Sequence, residues 1–257
     1  MTYAIITGAS KGIGSSIAEQ LAKQGFNLLL VARNGELLRQ VAERLSGTYR
    51  IQADFQAMDL SLPGAPELLF SYCMGKKYEV SVLVNNAGYG LSGAFADIPL
   101  GDSLNMMQVN MAALVQLTHL FLPALKIRSQ SYILNIGSSA AYQAVPYMSL
   151  YAATKSFVLS FSRGLRSELA GTPVSVTCIS PGATDTEFTI RAKIGKKGQE
   201  AAAKLNMRPE QVAAIAVRSM LAKRSEVITG GVNKLGAFFV WLLPKPWVEK
   251  VAKGIYK

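Results

Sequence analysis

The sequence predicts an α/β fold, a doubly wound parallel sheet with helices on both faces, and three observations carry that reading. Predominantly apolar runs recur at Leu28–Ala32, Val80–Val84, Ile133–Ile136 and Val174–Ile179. Strands buried on both faces look like this, because each face meets a layer of helices. Amphipathic stretches separate the runs, near residues 13–24, 35–46, 64–77, 101–125 and 150–170. The third observation is a short apolar segment near the amino terminus that runs through glycines straight into a helical pattern. A chain of 257 residues fits one such domain, and an apolar fraction of 50% excludes disorder. No repeat, low-complexity segment or interdomain linker interrupts it.

The first strand is expected at Thr2–Ile6, which is β-friendly and flows into Thr7-Gly8-Ala9-Ser10-Lys11-Gly12-Ile13-Gly14. Ile13, Ile17 and Leu21 then recur every four residues and mark a helix. Strand, glycine turn and helix is the context that a dinucleotide fingerprint requires. Glycine lets the backbone turn tightly and approach a pyrophosphate, and the helix start offers unpaired N–H groups and a positive dipole end. Gly8, Ser10, Lys11, Gly12, Ile13 and Gly14 are therefore candidate cofactor contacts.

The second strand ends with Ala32, Arg33 and Asn34, and no acidic residue appears before Glu36. An NAD site usually places a carboxylate there for the ribose 2′-hydroxyl. Arg33 and Lys11 instead suit a 2′-phosphate, so NADP(H) is the expected cofactor; the plain alternative is that both cations only face water.

Further along, Tyr151 and Lys155 lie four residues apart, on one face of the helix expected over 150–170. A phenol titrates near ~10 and is a poor proton donor and acceptor at neutral pH. A fixed cation beside it favours the phenolate and brings it toward the working range. Ser138 stands thirteen residues before the tyrosine and could hold the substrate oxygen. Alone, such a Tyr–Lys pair is as compatible with an amphipathic helix carrying a solvated lysine.

Together, the glycine spacing G-x-x-x-G-x-G, Asn85-Asn86-Ala87-Gly88, Asn110, Ser138, Tyr151, Lys155 and Pro181-Gly182 stand in one order. In this the sequence resembles the short-chain dehydrogenases/reductases in their short, single-domain form, over residues 7 to about 186. The resemblance implies a Rossmann-like sheet, an assembly of two or four copies, and interconversion of a carbonyl and a secondary alcohol. Tyr151 would protonate the substrate oxygen beside Ser138. Lys155 would tune the phenol and bind the ribose, and Asn110 would hold a water linking the lysine to solvent. Asp59 and Leu60 would lie at the adenine and Asn86, Ala87 and Gly88 along the ribose. Pro181, Gly182, Thr184 and Thr186 would surround the nicotinamide. Ser139 rivals Ser138; neighbours on a strand point oppositely, and the thirteen-residue spacing favours Ser138. Residues 184–207 would form the substrate loop and lid. Ketoacyl derivatives, hydroxysteroids, hydroxy acids and small ketones all remain compatible, and a non-catalytic NADP-sensing or scaffolding role is the alternative.

The net charge of +11 raises nucleic acid as a partner, yet no nucleic-acid motif is present. Much of the excess is local. Residues 187–207 hold five cations against two acids, and residues 232–257 hold five lysines against Glu249. Ala237–Leu243 is apolar all round, Pro244 and Pro246 interrupt it, and Val248, Val251, Ala252 and Ile255 recur at helical spacing. This helical carboxyl-terminal extension, residues 236–257, is expected to pack on a subunit or the pocket rather than on a membrane surface. Cys73 and Cys178 are expected as buried fillers and His119 as a structural residue. With no signal peptide and no apolar run of spanning length, the expected location is the cytoplasm.

Overall fold

The computed structural model describes residues 2–184, 188, 192, 194–195, 198–200 and 206–256. Thr186, expected beside the nicotinamide, and much of the stretch at 184–207 expected to form the substrate loop lie outside the described residues.

Seven strands, β1 (Tyr3–Thr7), β2 (Asn27–Ala32), β3 (Ala53–Ala57), β4 (Val80–Asn85), β5 (Ser131–Ile136), β6 (Val174–Ser180) and β7 (Glu226–Ile228), form one sheet. Their order is β3-β2-β1-β4-β5-β6-β7, and every pairing is parallel. Helices α1 (Gly12–Lys23), α2 (Gly35–Tyr49), α3 (Ala65–Gly75), α4 (Leu100–Met107), α5 (Ala113–Lys126), α6 (Ser149–Glu168) and α7 (Pro209–Leu221) lie between the strands in sequence. Two more, α8 (Gly231–Leu242) and α9 (Lys245–Tyr256), follow β7.

Alternate residues of each central strand enter opposite cores, which is why apolar residues dominate both faces of the strands. Ala4, Ile6, Leu28, Leu30, Val82 and Val84 pack with Ile17 and Leu21 of α1, Leu38 and Leu45 of α2, and Met220 of α7. Ile5, Leu29, Val31, Leu83 and Ile133 pack with Leu69 of α3 and Leu117 and Phe121 of α5. Cys73 is buried in the second of these layers and Cys178 among Leu114, Val158 and Leu159, and both are free thiols. His119 lies on the exposed side of α5, so it fills no core.

The chain winds outward from β1 to β3 and then returns to start β4 on the other side of β1. At such a reversal the loops leaving the carboxyl ends part, and a crevice opens between them. The sequence led us to expect one helix over 101–125. The chain is indeed helical from Leu100 to Lys126, with a π-helical turn at Gln108–Ala112 joining α4 to α5. No helix among the described residues is long and apolar enough to cross a membrane.

Candidate active site

The cleft at the reversal point is lined by the residues that follow β1, β2, β3, β4, β5 and β6, and encloses about 1100 Å³. Its first wall is the glycine loop. The Thr7 hydroxyl accepts from the backbone N–H groups of Asn86 and Ala87, each at 3.0 Å, and donates to the Val84 carbonyl at 3.1 Å. The Asn86 amide donates to the carbonyls of Thr7 and Gly8 at 2.9 and 3.2 Å. Those bonds join the loops after β1 and β4 into one body. Gly8 and Gly12 have φ of 67° and 57°, in the left-handed region that favours glycine. Helix α1 starts at Gly12 with neither a side-chain cap nor an acidic residue in its first turn. Its leading N–H groups and positive dipole end therefore remain for an anion.

Along the second wall, Asn34 caps α2 by accepting from Leu37 N–H at 3.0 Å, so Arg33 is the side chain offered to the cleft at the end of β2. Its guanidinium stands 3.9 Å from Asp59 Oδ2, and both side chains are substantially solvated. A pair this long and this wet contributes little and does not immobilise the arginine. The other Asp59 oxygen, Oδ1, accepts from the backbone N–H and hydroxyl of Ser61, at 3.0 and 2.8 Å. Lys11 lies exposed on the same cleft, and Leu60 lines it from a buried position.

The floor brings Ser138, Tyr151 and Lys155 together with Asn86, Ala87, Gly88, Pro181 and Gly182. Gly137 N–H donates to Ile179 and Ser139 N–H to Pro181, both at 2.7 Å, which ties the loop after β5 to the loop after β6. Ser138 caps a short 3₁₀ turn over Ser139–Tyr142, its Oγ accepting from Ala140 N–H at 3.1 Å. The accepted bond fixes the oxygen, and its own O–H can still donate. The strand-alternation argument against Ser139 does not hold, because β5 ends at Ile136 and both serines lie beyond it.

Tyr151 and Lys155 are 8% and 6% exposed on α6. Lys155 Nζ lies 5.9 Å from the Tyr151 ring centroid and donates to the Ile136 carbonyl at 2.8 Å. Burial pushes the ammonium down to about 8, against a smaller opposing pull from Cys178. It therefore still carries its charge at neutral pH. A second tyrosine, Tyr142, also lines the cleft. Burial first, and then hydrogen bonding to the Glu226 carboxylate, push its phenol above the ordinary value, which makes it a poor acid–base group. Asn110 is presented by the π turn, a distortion often found at functional sites. Its Oδ1 accepts from Tyr89 N–H at 3.0 Å, and its amide donates to Tyr89 O at 2.9 Å and Thr154 Oγ1 at 3.1 Å. It braces the loop after β4 against α6.

The depressed Lys155 value has a measurable consequence. Its folded-state pKa lies below the ordinary 10.5, so the wild type bears the cost of a buried charge in full below about pH 8. That cost is shed as pH rises from about 8 toward the unfolded value. Lys155→Met removes it at every pH. The variant's melting temperature relative to wild type should thus become steadily less favourable from pH 7 to about 9.5 in thermal melts of cofactor-free protein. A difference that is flat across that range would contradict the buried, charged lysine.

Thr184 Oγ1 donates to Gly182 O at 3.2 Å, which holds that loop's turn. Several lining residues gave no signal in the sequence: Val145, Met148, Val232 and Asn233; Val240 of α8 falls in the carboxyl-terminal extension, for which the pocket was one expected contact. Asn233 packs against Gly182 and donates to Thr229 O at 2.8 Å, so α8 touches the loop after β6 directly. Among the described residues no cluster of side chains could hold a metal ion. The uncapped helix start, the glycine backbone and the cleft volume do fit a nicotinamide dinucleotide.

Known proteins agree with this architecture. The family model for short chain dehydrogenases matches residues 2–220. Very-long-chain 3-oxoacyl-CoA reductase-A of Danio rerio is 35% identical over 73% of this chain and 59% of its own length. The chain thus spans about three fifths of the curated relatives matched first. A structure described for 7beta-hydroxysteroid dehydrogenase stereoselectivity superposes with a TM-score of 0.87 at 25% identity, covering 98% of this chain and 96% of the other. A short-chain dehydrogenase from Sphingobium yanoikuyae in complex with NADPH gives 0.82 at 29% identity, covering 93% and 92%. With its glycine loop, its parallel sheet and a family match over most of its length, this chain belongs to the short-chain dehydrogenase family.

Proposed function

We propose that this chain is an NADP(H)-dependent oxidoreductase that interconverts a carbonyl and a secondary alcohol on an apolar, ketoacyl-type substrate. The observation that carries the reading is the convergence of Ser138, Tyr151 and Lys155 on one cleft floor, beside an uncapped helix start and glycine loop. When held by the glycine loop and the start of α1, a nicotinamide dinucleotide would supply the hydride. The chain's own groups manage the oxygen and its proton. Ser138 donates a hydrogen bond to the carbonyl oxygen, and Tyr151 gives its phenolic proton to the alkoxide as it develops. The Lys155 charge favours the phenolate left behind. Asn110 keeps α6 and the loop after β4 in register.

Arg33 and Lys11 support NADP(H) over NAD, since they offer cations where a 2′-phosphate would lie. The Sphingobium relative bound to NADPH agrees. Val145, Met148, Phe188, Ile194 and Val240 make the substrate wall apolar. The resemblance to a 3-oxoacyl-CoA reductase points to an acyl ketone. The test is kcat/KM for NADPH and NADH across carbonyls of varied chain length and acidity. NADPH with long-chain ketoacyl substrates should lead. Arg33→Asp with Lys11→Ala should shift the ratio toward NADH by roughly ten- to a hundredfold, as hydrogen bonds to charged groups contribute about 1.5–3 kcal/mol. No carbonyl turnover, or a ratio that the double variant leaves unchanged, would overturn the respective half of the proposal.

A further inference from the structure

From Leu235 to Leu242 helix α8 carries only apolar residues and glycine, yet none of the helix's residues is buried. One side is accounted for: Val232, Gly236 and Val240, four residues apart, line the cleft. On the opposite side Leu235, Phe238, Phe239 and Leu242, at the i, i+3, i+4, i+7 spacing of one face, are all exposed, as is Trp241 at 75%. Helix α9 continues the pattern. Val248 and Ala252 are buried, while Trp247, at 67%, Val251 and Ile255 form an exposed stripe beside them. The flank beyond that stripe carries the exposed Lys250 and Lys253, and Lys234 and Lys245 are exposed as well.

We propose that this outer face of α8 and α9 seats the chain on an anionic lipid surface, with the rim of the cleft at the contact. Charge decides the occupant. Residues 232–257 hold five lysines against one glutamate. A second copy meeting this face in a twofold contact would bring two such patches together and be repelled, whereas an anionic headgroup layer neutralises them. Exposed aromatic and aliphatic side chains flanked by lysines are the composition of a helix lying in the interface. Both helices have 12 residues, too few to cross the hydrocarbon core. Val232 and Ile255 line the cleft and are also exposed, so its rim is continuous with the docking face. An apolar substrate dissolved in the lipid would thus enter without crossing water. The docking itself stands without any assumption about the reaction.

The experiment uses the purified full chain with phosphatidylcholine vesicles, with and without phosphatidylglycerol, at low and high salt. The chain has two tryptophans, Trp241 and Trp247, and both lie on this face, so intrinsic fluorescence reports the contact. The chain should float with anionic vesicles, its emission should shift to the blue, and high salt should weaken both effects. Lys250→Ala with Lys253→Ala should lower partitioning by roughly fivefold per lysine, with the melting temperature unchanged. Leu235→Ser with Phe238→Ser should abolish the blue shift. Failure to float, or equal binding to neutral and anionic vesicles, would overturn the proposal. So would lipid-free self-association that Phe238→Ser dissolves, which would assign the face to a second copy. None of these readouts involves turnover, so they leave the proposed reaction to its own test.

Discussion

Tyr151→Phe is expected to lower kcat by roughly 10²–10⁴-fold, the range supplied by a positioned acid–base group. The substitution removes one oxygen and keeps the ring. That ring sits buried on α6, 5.2 Å from the Phe188 ring, so its apolar contacts survive and the fold should melt near the wild-type temperature. The uncapped start of α1 and the Arg33 side chain belong to other walls of the cleft, so NADPH affinity should stay within roughly twofold. Tyr142 cannot take over. Its hydroxyl is engaged by Glu226 and Ser180, and burial pushes its phenol further from neutrality. Steady-state turnover measured beside fluorescence titration of NADPH separates the outcomes. Turnover within tenfold of wild type would remove Tyr151 from the chemistry. It would favour a chain that binds its nucleotide as a sensor or scaffold.

The strands legible in the sequence are those that two cores demand. β1, β2, β4, β5 and β6 are mainly apolar and almost wholly buried because successive side chains enter opposite helix layers. The edge strands carry no such signal. β3 is Ala-Asp-Phe-Gln-Ala with no buried residue, and β7 is three half-buried residues long. An edge strand has one neighbour, and its composition follows solvent as much as the core. Helix α7 was legible in principle, with proline in its first turn and Val212, Ala213, Ala216, Val217 and Met220 on its buried face. It follows the least regular stretch of the sequence, where no adjacent run frames it.

At the site, the residue types and order pointed to loops that the structure gathers around one cleft, but geometry added what order cannot. The π turn at Asn110 leaves the apolar pattern unbroken, since it widens one turn without changing composition. Ser138 is held by a 3₁₀ cap, which no alternation rule for strands describes, and Ser139 lines the same cleft. Helix α8 was visible as a helix, yet its apolar residues surround the axis and so give no direction. Only the tertiary structure shows that one side lines the cleft and the other faces outward.

Gly14→Ala should damage the fold and the nucleotide site together. A Cβ built at Gly14 would lie 2.2 Å from the Gly8 carbonyl oxygen and 2.5 Å from the Asn86 amide nitrogen. Neither can retreat cheaply. The first is backbone in the turn itself, and the second is the donor that ties Thr7 and Gly8 to the loop after β4. Either α1 moves away from β1 or the two loops separate, and both open the surface that would cradle the pyrophosphate. Overpacking of this kind costs about 1–3 kcal/mol, and for a chain of this size that lowers the melting temperature by roughly 2–12 °C. NADPH affinity should fall further than stability alone accounts for, because the leading N–H groups of α1 are displaced. Gly164→Ala is the control. It lies on the exposed side of α6 with nothing within 4 Å of the added carbon, so it should be neutral or stabilise by about 0.5–1 kcal/mol. Thermal melts with and without NADPH, run on both variants, decide the matter. If Gly14→Ala melts with wild type and gains as much from NADPH, the close approach of α1 to the glycine turn is not what holds this site together.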